Sequence, residues 1–85
     1  MPEKKIGNVV KFFAKPSVAA IELTEGDLAV GDKIKIKGHT TDFEDTITSL
    51  QIDNKSIDKA ISGQMIGIKV KERVREHDIV YKITD

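Results

Sequence analysis

Apolar and polar residues alternate strictly from Lys33 to Lys37, with Ile34 and Ile36 on one parity and Lys33, Lys35 and Lys37 on the other. A period of two marks a strand with one face on a core and one in water. Gly31-Asp32 gives a turn before this segment, and Gly38 with the polar run His39 to Asp42 closes it. Upstream, Ile6 to Phe13 is rich in β-formers and reads as a first strand. Phe12 and Phe13 cannot both point inward on a regular strand, so one is a surface aromatic unless a bulge hides it. Val18 to Thr24 follows as a second strand, with Ala19, Ile21 and Leu23 inward and the small alanines implying close packing. Thr24 to Asp27 reads as a turn.

Glu44 to Asp53 is a strand that breaks its own parity. Ile47 is apolar at an odd position, Leu50 and Ile52 at even ones, so a bulge or bend is expected near Thr48-Ser49. Asn54-Lys55 reads as a turn, and Ser56 to Ile61 as a single helical turn stopped by Gly63. Met65 to Lys71 gives a fifth strand with Ile66, Ile68 and Val70 inward. Ile79 to Ile83 gives a sixth, with Ile79, Tyr81 and Ile83 sharing a face. Six short strands without a long amphipathic helix predict an all-β barrel or sandwich.

Length confines this to one domain: 85 residues bury roughly 60 % of their unfolded surface. We divide the chain into a flexible N-terminus (1–5) and a single domain (6–85). There is no cysteine, which removes disulfides and thiolate metal sites. The charged fraction is 33 %, against about 25 % on average. The lysine-rich, amide-poor composition is of the kind heat-adapted proteins show, and an ordinary charged surface gives it too. Fourteen basic and fourteen acidic residues cancel, so bulk charge does not favour nucleic acid. No leader and no apolar run of 18 residues is visible, so a cytoplasmic protein without membrane contact is expected.

Little in the chain suggests catalysis. His39, with Asp42, Glu44 and Asp45, matches no metal-ligand spacing, and no serine sits in a G-x-S-x-G context. A phosphate-binding loop of the G-x-x-x-x-G-K-[ST] type is absent, so no nucleotide hydrolysis, cofactor or metal is expected. The remaining signal is basic. Lys33, Lys35 and Lys37 line one outer strand face, and Lys69, Lys71 and Arg73 another. Side by side, these would make a phosphate-contacting patch, with the unburied phenylalanine free to stack a base. The same lysines would equally keep exposed strands soluble and unpaired.

The segments Leu28-x-Val-Gly-Asp-x-Ile-x-Ile-x-Gly38, Thr46-x-x-Ser-Leu-x-Ile52, Ala60-x-x-Gly-x-x-Ile-Gly-Ile68 and Asp78-Ile-Val80 resemble, in order and spacing, the second domain of translational GTPases such as elongation factor Tu. The chain is also similar to stand-alone translation elongation factor-like proteins and to the C-terminal barrel of collagenase-like peptidases. The phrases Val18-Ala-Ala-Ile-Glu-Leu23 and Ile36-Lys-Gly-His-Thr-Thr41 fit that small branch better. The resemblance implies a six-stranded closed β-barrel without GTPase activity. It also implies a non-enzymatic binding module docking on tRNA, the ribosome or another ribonucleoprotein through Lys33, Lys35, Lys37, Lys69, Lys71 and Arg73, with Gln51 and Lys55 near a groove. Gln51 stands where elongation factors place a ribose-holding glutamate, keeping a hydrogen-bonding group and losing the charge. His77 replaces the usual glycine before the last strand, which implies a turn with no positive backbone angle. In the alternative reading the chain is a protein-interaction or accessory domain that works with a separately encoded enzyme such as a collagenase-like peptidase.

Overall fold

The computed structural model describes residues 3–53 and 55–84. The described residues form ten strands and no helix: β1 (Glu3–Phe13), β2 (Val18–Leu23), β3 (Asp27–Ala29), β4 (Lys33–Lys37), β5 (Asp42–Thr46), β6 (Leu50–Ile52), β7 (Lys55–Ile57), β8 (Lys59–Ile61), β9 (Met65–Lys69) and β10 (Ile79–Ile83). Eight of them make one antiparallel sheet in the order β5-β4-β10-β1-β2-β9-β6-β7, and β3 pairs with β8 apart from it. The all-β expectation holds. The closed six-stranded barrel does not, because among the described residues no ladder joins β5 to β7. The sheet still curls. Asp45 on edge strand β5 accepts a hydrogen bond from the Lys71 N–H, just past β9, at 3.2 Å. A side chain stands there in place of a ladder.

The inner faces supply a single aliphatic cluster that includes Ile6, Ile21, Leu23, Leu28, Ile34, Ile36 and Ile68. Each such side chain contributes about 1.5–3 kcal/mol on burial, which is how a chain without cysteine holds together. Ile34 and Ile36 are fully buried, as the alternation in β4 predicts. The expected break in the fourth strand is also present. β5 ends at Thr46 and β6 begins at Leu50, while Ile47 and Leu50 are both buried. Between them Ile47 turns its backbone to Gly31 and Asp32, with N···O distances of 2.9 and 2.8 Å.

Two local expectations need correction. Ser56 to Ile61 is not a helical turn but the strands β7 and β8. Ala60 packs opposite Leu28, and backbone pairing across two sheets outcompetes a helix too short to sustain itself. On β10, Ile79, Tyr81 and Ile83 share the outer face opposite the lysines of β4, and Val80 is fully buried. Val80 and Lys82 stand opposite Ile36 and Ile34, so the register of β4 decides the parity. His77 adopts φ 74° despite lacking glycine's freedom. The 75–78 turn that imposes this is tied to β1, where His77 N–H donates to Val9 O and Val9 N–H to Asp78 O, both 2.8 Å. Residues 3–5 belong to β1, with Glu3 paired to Ile83, and residues 1–2 of the expected flexible segment lie outside the described residues. The Asn54 part of the expected turn lies outside the described residues.

An inward-pointing lysine on β10 is accommodated at the open end of the curl. Lys82 Nζ lies 3.0 Å from Asp27 Oδ1 and 3.2 Å from Asp32 Oδ2, and Lys59 reaches Asp27 Oδ2 at 3.3 Å. The network ties β3 to the main sheet. Lys82, and after it Lys59, holds the Asp27 carboxyl below the usual carboxylate range. Asp27, ahead of Asp32, raises the Lys82 ammonium above its ordinary value against the opposing effect of its partial burial. The Asp27 contribution to stability is therefore complete at neutral pH and lost as pH falls below about 4. The Lys82 contribution is complete below about pH 10 and lost above it. Lys82→Met should lower stability at pH 7 by about 1 kcal/mol. It should also flatten both limbs, as read from urea midpoints at acid, neutral and alkaline pH.

Candidate functional site

The eight residues singled out in the sequence do not share one surface. In the sheet order, β10, β1 and β2 lie between β4 and β9. On β4 the cations face carboxylates: Lys35 is opposite Glu44, and Lys37 opposite Asp42. Lys35 also pairs with Glu3 at 3.4 Å, and Glu3 raises its pKa. Lys33 and Lys71 meet in a shallow seam where Glu44 and Asp45 stand beside them. Lys69 is opposite Val18 on the outer face of β9. Lys55 is exposed on β7, and Arg73 is exposed in the loop after β9. These cations are spread out and largely matched with acids, an arrangement that favours solubility over a phosphate track.

Gln51 lies elsewhere, in a depression of the outer face. The groove crosses β2, β9 and β6 and encloses about 580 Å³, within the range of binding clefts. Its floor comes from small residues at matched register: Ala20 faces Gly67, and Gly67 faces Gln51. Phe13, Pro16 and Val18 form one wall, and Met65 the opposite one. Phe13 and Met65 are 44 % and 48 % exposed, which makes them large apolar side chains held in solvent.

The exposure of Phe13 follows from the backbone. A bulge between Val9 and Lys11 shifts the β1–β2 register and moves the inward parity from odd to even residues. Val9 and Phe12 then both pack against the core, and Phe13 turns outward with the Lys11 ammonium 5.2 Å from its ring centre. Two non-glycine residues with positive φ stand at the rim turns, Ser17 (55°) and Asp53 (51°). They set where the walls end. Asp53 contributes a carboxylate to the lining. Beyond Met65 a second depression continues past Glu22, Thr24 and Gly63.

Sequence reasoning placed only Gln51 here. The outward-facing small residues Ala20 and Gly67 were its missing signal, since two small residues one and two strands from a surface aromatic leave a hollow. Among the described residues no group of His, Asp and Glu is placed to hold a metal, and no helix is long and apolar enough to cross a membrane.

No protein-family model matches the chain. It is 44 % identical over 82 residues to an uncharacterised protease of Methanocaldococcus jannaschii, covering 95 % of this chain and 20 % of that protein. It is 36 % identical over 78 residues to a collagenase of Porphyromonas gingivalis, covering 91 % of this chain and 22 % of the collagenase. The chain thus spans about a fifth of the length of these relatives. Its fold matches the C-terminal domain of a Geobacillus thermoleovorans protein assigned to the U32 peptidases, with a TM-score of 0.87 at 18 % identity over 95 % of this chain and 93 % of that domain. The selenomethionine variant of that domain gives 0.85 over 91 % and 96 %. The similarity is therefore to proteases and collagenases. The collagenase-like part of the resemblance stands, and the likeness to elongation factors finds no support in these relatives.

Proposed function

We propose that this chain is an accessory domain of the kind collagenase-like peptidases carry, and that its task is to hold polypeptide rather than to cleave it. The observation that carries this reading is the match of nearly the whole chain to about a fifth of a protease at 44 % identity. A segment of that size, folding around its own core, is a module added to an enzyme. The outer groove of Ala20, Gly67, Phe13 and Met65 is the surface that suits such a task. His39 and His77 are exposed in separate loops, so a chemical step is assigned to the larger enzyme.

Docking on RNA is the reading this displaces, because the relatives are proteases and the lysines of β4 face acids. The test is to mix the chain with a collagenase-like peptidase from the same genome and follow complex formation by size-exclusion chromatography. A complex that survives nuclease and high salt is expected. Co-elution with tRNA instead, lost steeply as salt rises, would overturn the proposal and restore the RNA reading.

A further inference from the structure

We infer that the groove takes an extended polypeptide segment in which an apolar side chain stands beside a lysine or arginine. This rests on the polypeptide-holding role proposed above and names the chemistry of what is held. The apolar half of the ligand follows from the floor. Ala20 and Gly67 leave room for one side chain, and a Cβ added at Gly67 would meet nothing closer than Val18 Cγ1 at 3.4 Å. Phe13 and Met65 then close on the guest from either side, a ring and a thioether that adapt to an aliphatic or aromatic partner.

The basic half follows from charge. Among the described residues, the only ionisable side chains lining the groove and its continuation beyond Met65 are the carboxylates of Asp53 and Glu22. Neither forms an ion pair among the described residues. The neighbouring cations stand off the lining. Lys11 is held over the Phe13 ring, and Lys69 projects beside Val18. A guest cation next to the seated apolar side chain meets Asp53 in the groove itself or Glu22, opposite Met65, in its continuation, while Gln51 offers an amide to the guest backbone.

The test titrates the full chain, labelled with ¹⁵N, with a glycine–serine peptide bearing a central leucine–arginine pair. Parallel titrations use the same peptide with arginine replaced by glutamate or leucine replaced by glycine. Weak binding, on the order of 10⁻⁴ M, is expected for the first peptide alone, with shifts concentrated at Val18, Ala20, Gln51 and Gly67. Gly67→Leu fills the floor and should abolish it. Met65→Ser, at an exposed position, should weaken it even if Gly67→Leu folds poorly. Asp53→Asn should cut the preference for arginine over glutamate by about threefold, the size of an exposed ion pair.

Equal binding of all three peptides, shifts mapping elsewhere, no binding at millimolar peptide, or competition by a single-stranded oligonucleotide would each overturn the assignment. A stable complex with the peptidase alongside any of these would leave the accessory role standing and remove only the groove's ligand.

Discussion

Gly7→Ala should lower the stability of the domain by about 3 kcal/mol and the melting temperature by roughly 15 °C, although it adds one methyl group. A Cβ at Gly7 would run into the backbone carbonyl of Glu22, because β1 bulges beside Gly7 while pairing on both sides, with Leu23 of β2 and Val80 of β10. The carbonyl cannot retreat cheaply. β2 is held on its far side by five matched positions of β9, and Leu23 is fixed further by hydrogen bonds to Gly63 and Gln64. Relief requires prising one ladder apart over the core. Urea unfolding of the variant beside the parent decides the matter, and a loss below about 1 kcal/mol would show that the strands yield more easily than their pairing indicates.

The second large effect is expected at Gly38, where a Cβ would collide with the Asp78 carboxylate. Asp78 is only 4 % exposed, and its Oδ2 accepts the Arg75 N–H at 2.9 Å, so it has nowhere to swing. Gly38→Ala should cost about 2 kcal/mol. Asp78→Ala alone should cost about 1 kcal/mol through the lost turn bond, but in that background the Gly38→Ala penalty should largely vanish. The double-mutant cycle then gives a coupling of 1 kcal/mol or more. Simple additivity would mean that the glycine answers to its backbone and not to the aspartate.

Parity explains most of what was legible in the sequence. Where apolar residues kept to one parity, as in β2, β4 and β9, the buried face followed directly. Where the parity slipped at Ile47 to Leu50, the slip located a real interruption. The errors arose where a neighbour, not the segment itself, chose the face. Val80 and Lys82 turned inward because β4 demanded it, and Lys82 was tolerable only because Asp27 and Asp32 wait at the open end. The same holds for β8, whose partner Asp27 to Ala29 is too distant in sequence to register locally, whereas β7 folds back on its immediate neighbour β6. The groove was hidden for another reason. Ala20 and Gly67 look unremarkable singly and form a hollow only when the register sets them side by side. The lysines announced themselves, whereas the carboxylates that neutralise them on β5 are visible only through pairing.

The pairing of Glu3 with Ile83 also closes the first strand onto the last. Residues 3 and 83 meet at one spot, so the first and last described strands can be bridged by a short linker without reshaping the sheet. A permutant joined across those neighbouring ends and opened at an exposed turn should still fold.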